Sequence, residues 1–91
     1  MVFEWDENKR QSNILKHRID FIDAKIVFKD PCKIDMIDTR VDYGEVRSRT
    51  VGRMGDTLVL TVVSTDRNGT IRIISARQAN KKERSIYYGN C

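Results

Sequence analysis

The stretch "TLVLTVVST" at 57–65 and the stretch "TIRIISA" at 70–76 face each other across Asn68-Gly69. Asn and Gly both tolerate positive φ, and a tight two-residue hairpin needs that, because its turn must follow the right-handed twist of the strands. The first run is apolar on both alternating faces, the pattern of a strand buried in the middle of a sheet. Upstream, "GEVRSRTVGRM" alternates. Glu45, Arg47, Arg49, Val51 and Arg53 share one face, and Val46, Ser48 and Thr50 the other. Gly55-Asp56 turns the chain between these runs. Three antiparallel strands in a meander result, with residues 33–37 and the opening "VFEW" as short flanking candidates.

Before the meander the periodicity is helical. Asp6 stands where an N-cap belongs and Glu7 falls in the first turn, where the helix dipole favours an anion, so a helix is expected over 7–17. Asp20 caps a second helix over 21–29 that buries Phe21, Ala24, Val27 and Phe28. Asp30-Pro31 stops it, since the residue before proline avoids the helical region. After the meander a basic helix over roughly 78–88 carries Lys81, Lys82 and Arg84 and ends at Gly89. The expected fold is therefore α+β: a small antiparallel β-meander sheet with two N-terminal helices and one C-terminal helix, gathered on one face. With 91 residues, one domain over 1–91 is all the chain can build.

The net charge of +4 is unevenly placed. Residues 1–44 hold 8 Lys/Arg and 9 Asp/Glu, whereas residues 45–91 hold 9 and 4. The second half is thus the cationic one, and a polyanion is its natural partner. No run of about 18 apolar residues exists, so no membrane span is expected. The N-terminus has no apolar signal region, and the expected location is the cytoplasm. Cys32 and Cys91 have no metal-ligand spacing. In a reducing compartment two free thiols are the expectation, with a disulfide as the alternative.

Chemistry concentrates in the arginines. Arg47 and Arg49 share a strand face with Glu45, Arg67 lies at the hairpin, Arg72 in the returning strand and Arg77 at its end. A guanidinium stays charged and grips phosphate with a planar fork, so several on one open sheet face make a phosphate cradle; singly, each is ordinary surface. His17, the one histidine, suits proton transfer near neutrality, or simply favours a helix C-terminus. Trp5 is a core anchor or a stacking surface for a nucleobase. Tyr43, Tyr87 and Tyr88 are phenols with no feature lifting them above packing. No glycine-rich phosphate loop, metal-ligand cluster or nucleophile elbow is present.

"FEWDENKRQSNILKH" at 3–17, "IDF" at 19–21, "VFKDP" at 27–31 and "IRIISARQANKKER" at 71–84 resemble the BrnT-type toxins of bacterial type II toxin–antitoxin systems. The resemblance spans nearly the whole chain, in order. It implies a RelE/ParE-like ribonuclease that arrests translation by cutting RNA, without metal or organic cofactor. It also implies a BrnA-type antitoxin with a ribbon–helix–helix DNA-binding domain, the complex of the two repressing its own operon at the operator DNA. One departure stands out: the family commonly has glycine after Lys-His, and this chain has Arg18. A left-handed conformation there would cost a non-glycine residue roughly 1 kcal/mol.

Metal-free RNA cleavage uses the substrate's 2′-hydroxyl as nucleophile and leaves a 2′,3′-cyclic phosphate and a 5′-hydroxyl. Arg47, Arg72 and Arg77 are expected to steady the phosphorane, where charge grows on the phosphoryl oxygens. Glu45 and His17 are the proton-transfer candidates. Lys16, Arg49, Arg67, Arg84 and Trp5 are expected to bind the strand, and Arg77 has a structural alternative, binding carbonyls or Asp6. Two competing readings are a non-catalytic RNA- or protein-binding module and a ParE-like action on DNA gyrase.

Overall fold

The structure is a computed structural model describing residues 1–39 and 44–91; Tyr43 lies outside the described residues. The elements run β1 (Val2–Trp5), α1 (Glu7–His17), α2 (Phe21–Ala24), a 3-10 segment (Lys25–Lys29), β2 (Ile34–Ile37), β3 (Ser48–Met54), β4 (Leu58–Arg67), β5 (Thr70–Gln78) and α3 (Lys81–Asn90).

The described strands form one five-stranded sheet in the order β1-β5-β4-β3-β2. The meander β3-β4-β5 is antiparallel as expected, and β2 joins it antiparallel. The all-antiparallel expectation is corrected by β1, which lies parallel to β5 with Phe3 opposite Ile71 and Trp5 opposite Ile73. The sheet is mixed. The hairpin closes between Arg67 and Thr70, with Asn68 at φ 55° and Gly69 at φ 88°, the positive pair that a primed turn requires.

Helix α1 matches its expected span. The Asp6 carboxylate accepts from the backbone N–H groups of Asn8 and Lys9, satisfying two otherwise orphaned donors. Arg18 caps its far end at φ 61°, the left-handed region. The second helix is shorter than expected: one α-turn over Phe21–Ala24 tightens into the 3-10 segment. Both forms bring residues three or four apart to one side, so the apolar spacing does not separate them. The last helix starts three residues later than expected because β5 extends to Gln78, and it runs through Gly89 to Asn90.

The core has two parts, one on each side of the sheet. Phe21, Ala24 and Val27 pack with Leu60, Val62, Ile73 and Ala76, joined by Phe3, Trp5 and Phe28. On the other side Tyr87 and Ala79 pack with Val51 and Val59. The expectation of helices on one face only is thus corrected: α3 covers one end of the second face. Gly52 lets the 3-10 segment approach β3, since a Cβ there would lie 2.7 Å from Val27 Cγ1 and 3.0 Å from its carbonyl oxygen. Cys32 and Cys91 are joined in a disulfide with their Cα atoms 5.3 Å apart, correcting the free-thiol expectation. Nearby, Tyr87 donates a hydrogen bond to Asp30 and Asn90 donates to the Cys32 carbonyl, further contacts between the end of α3 and the segment leading into β2.

Candidate active site

The second sheet face, beyond the end covered by α3, is where the arginines gather. Along β4, Thr61, Val63, Thr65 and Arg67 point to this face. In register with them stand Arg77 opposite Thr61, Arg49 opposite Val63, Arg72 opposite Thr65 and Thr70 opposite Arg67. Arg47 immediately precedes β3, two positions from Arg49.

Arg72 and Arg77 are five residues apart, an odd separation that would send them to opposite faces of a regular strand. They share a face because β5 carries a bulge. Ile73 pairs with Ser64 and Ser75 with Val63, which leaves Ile74 as the extra residue. Past the end of β1 the free edge of β5 is completed by α1: buried Asn13 accepts from the Ala76 N–H at 3.1 Å and donates to the Ala76 and Ile19 carbonyls at 2.8 and 2.9 Å. One side chain does there what a neighbouring strand would otherwise do.

Thr61, Val63 and Thr65 are buried, Thr61 beside Glu83 of α3 and Thr65 donating to the Val46 carbonyl. Arginine stems lie along apolar surface and keep only their heads in water, so the arginines flanking β4 form the second layer over it. Their heads are organised by carboxylates. Arg77 grips Glu83 with both nitrogens, Nη1 to Oε1 at 2.7 Å and Nη2 to Oε2 at 3.0 Å, and Arg49 reaches Oε2 at 3.1 Å. Glu83 also accepts from the Asn80 backbone while the Asn80 side chain accepts from Glu83 N–H, a capping box opening α3. Burial pushes the Glu83 carboxyl up, but the hydrogen bonds from Arg77 and the Asn80 backbone outweigh it and hold it at about 2. Glu45 lies 3.5 Å from both Arg47 and Arg67, and Glu4 lies 3.7 Å from Arg72. Among the described residues, five guanidiniums on this face therefore share three carboxylates, and positive charge is in excess.

The other sequence candidates divide. His17, half-buried at the end of α1, sits close enough to Arg77 to feel its charge. Burial first, then Lys16 and Arg77, lower its imidazole from the usual value, so it is neutral at pH 7. Lys16 is exposed beside it, with both residues lining a depression along α1. Trp5 is not on this face. It packs edge-on against Phe21, ring centres 6.1 Å apart, under the Lys25 ammonium, which is the core-anchor reading of the two. Arg84 bonds the Ala79 carbonyl of its own helix start at 2.6 Å. Arg77 is not tied to Asp6, whose carboxylate caps α1; its partners are Glu83 and the Gln78 carbonyl. Sequence reading missed Glu83. The signal available was Asn80 followed three residues later by Glu, the capping-box spacing.

What these residues form is a basic α+β protein with an arginine-rich sheet face. Residues 5–83 match the family model described as the ribonuclease toxin, BrnT, of type II toxin–antitoxin systems. The crystal structure of the Brucella abortus ribonuclease toxin BrnT superposes with a TM-score of 0.65 at 26% identity, covering 89% of this chain and 100% of that one. No curated protein sequence matches. The chain is a toxin of the type II toxin–antitoxin class. It belongs to the BrnT family.

Proposed function

We propose that this chain is a metal-independent endoribonuclease whose active site is the arginine face, acting in the cytoplasm to arrest translation. The observation that carries the reading is the convergence of Arg47, Arg49, Arg67, Arg72 and Arg77 on one side of the meander. The scissile phosphate displaces the longest contacts first: Arg72 from Glu4 at 3.7 Å, and Arg47 and Arg67 from Glu45 at 3.5 Å. These three then stabilise the phosphorane as charge builds on its oxygens. Arg77 and Arg49 stay clamped to Glu83 and act as fixed positive ends rather than as mobile ligands.

Glu45 is the proton acceptor that lies where the scissile phosphate sits, and it is released as the phosphate takes Arg47 and Arg67 from it. It draws the proton from the 2′-hydroxyl, that oxygen attacks phosphorus, and the 5′-oxygen leaves and takes up a proton from water. His17, beside Lys16 at the far end of α1, lies away from the reacting atoms. A BrnA-type antitoxin with a ribbon–helix–helix domain covers this face with acidic and apolar side chains, and the complex represses the operon through the antitoxin's contact with operator DNA.

The test is cleavage by purified protein in the presence of a chelator, with mass analysis of the ends. A 2′,3′-cyclic phosphate and 5′-hydroxyl are expected. Arg72→Ala should lower the rate by about 10²–10³-fold and Glu45→Gln by about 10²–10⁴-fold, with folding intact by circular dichroism. RNA left intact by the folded wild type, or 5′-phosphate ends, would refute the mechanism; supercoiling assays read the gyrase alternative directly.

A further inference from the structure

Two depressions border α1, and they share a wall. One, of about 180 Å³, opens on the arginine face between Arg47, Arg67 and Arg72, and ends at Lys9 and Ile74. The other, of about 460 Å³, begins at the same Lys9 and Ile74 and runs along α1 past Ser12 to Lys16 and His17. Lys9, Ser12 and Lys16 recur at helical spacing and so line one side of α1, the Cα atoms of the two lysines about 10 Å apart along its axis. Ile74 stands at the junction because it is the bulge residue, pushed out of the ladder.

The charge on this groove differs in kind from that on the arginine face. Arg47, Arg49, Arg67, Arg72 and Arg77 each lie within 4.0 Å of a glutamate. Among the described residues, the exposed ammoniums of Lys9 and Lys16 have no ion-pair partner. The one carboxylate lining the groove, Asp6, is engaged by the first N–H groups of α1. Asn13 is consumed by backbone bonds, which leaves Asn8, Ser12 and Ser75 as neutral hydrogen-bonding groups. Unmatched cations at strand spacing, neutral polar groups between them and an apolar projection at the entrance fit a single-stranded nucleic acid.

We infer that the α1 groove is a second subsite for the RNA strand, in which Lys9 and Lys16 bind phosphates flanking the scissile one and Ile74 packs against a base at the crossing. This rests on the reading of the arginine face as a ribonuclease site. The substrate is then a segment of several unpaired nucleotides lying across both depressions, and the groove sets which bases flank the cut.

Fluorescence anisotropy with a labelled single-stranded 2′-O-methyl RNA oligonucleotide, which lacks the attacking hydroxyl, tests this. The double variant Lys9→Ala/Lys16→Ala should bind roughly tenfold more weakly, and the slope of log affinity against log salt should fall by about 0.7 for each lysine. Lys81→Ala/Lys82→Ala, on exposed α3, removes the same charge elsewhere and should leave both quantities unchanged. Equal losses in the two double variants, or wild-type affinity and slope in the first, would overturn the subsite while leaving the ribonuclease reading intact. A wild-type protein that bound no RNA would overturn both.

Discussion

Glu83 joins three elements through one carboxylate: it completes the cap of α3, clamps Arg77 of β5 and reaches Arg49 of β3. Removing it strands two guanidiniums over buried β4, so Glu83→Gln should destabilise the protein by about 3–5 kcal/mol in urea unfolding. Its folded pKa of about 2 lies below the ordinary 4.5, so the ionised form favours the fold. That contribution, of order 3 kcal/mol, is fully present above about pH 4.5 and is lost as pH falls toward 2. The stability gap between wild type and Glu83→Gln should accordingly shrink between pH 5 and pH 2.5; a constant gap would refute the clamp. At Arg18 the opposite change helps. Its backbone sits at φ 61° with the side chain exposed, so Arg18→Gly should raise stability by about 1 kcal/mol, read as a higher melting temperature.

At the scale of elements, some spans were legible in the residues and others were not. Helix α1 and the hairpin were, because Asp6 and Asn68-Gly69 mark them with local chemistry that needs no distant partner. The partner of β1 was not, since four residues of "VFEW" carry no record of which strand they will join. The bulge at Ile74 was invisible too: an apolar Ile-Ile pair reads the same whether or not one residue is extra. Arginine positions followed from alternation, while their partners did not, because Glu83 lies in a basic tail and acts through the fold rather than through sequence spacing. Asn13 shows how far such contacts reach, bonding residues 63 positions away. Asn13→Ala would leave the Ala76 N–H and two carbonyls buried without partners, costing at least about 2 kcal/mol. Hydrogen exchange should show faster exchange at Ala76 before other β5 amides.

For the whole molecule, the disulfide closes a long loop by joining residues 59 positions apart. Constraining the unfolded chain in this way stabilises by about 2–4 kcal/mol. Cys32→Ser, or a dithiol reductant, should lower the urea midpoint and raise the slope, because the unfolded chain is then free to expand. An unaltered midpoint would show that Tyr87 and Asp30 anchor α3 without help from the covalent bond.

The parallel seam between β1 and β5 has a temporal consequence. β1 leaves the ribosome before β2, β3, β4 and β5, so it waits, its edge unfilled, while three sheet strands are made ahead of its partner. Phe3 and Trp5 find their neighbours Ile71 and Ile73 only once β5 has followed. The newborn polypeptide thus has no finished sheet, and no assembled arginine face, until that strand is out.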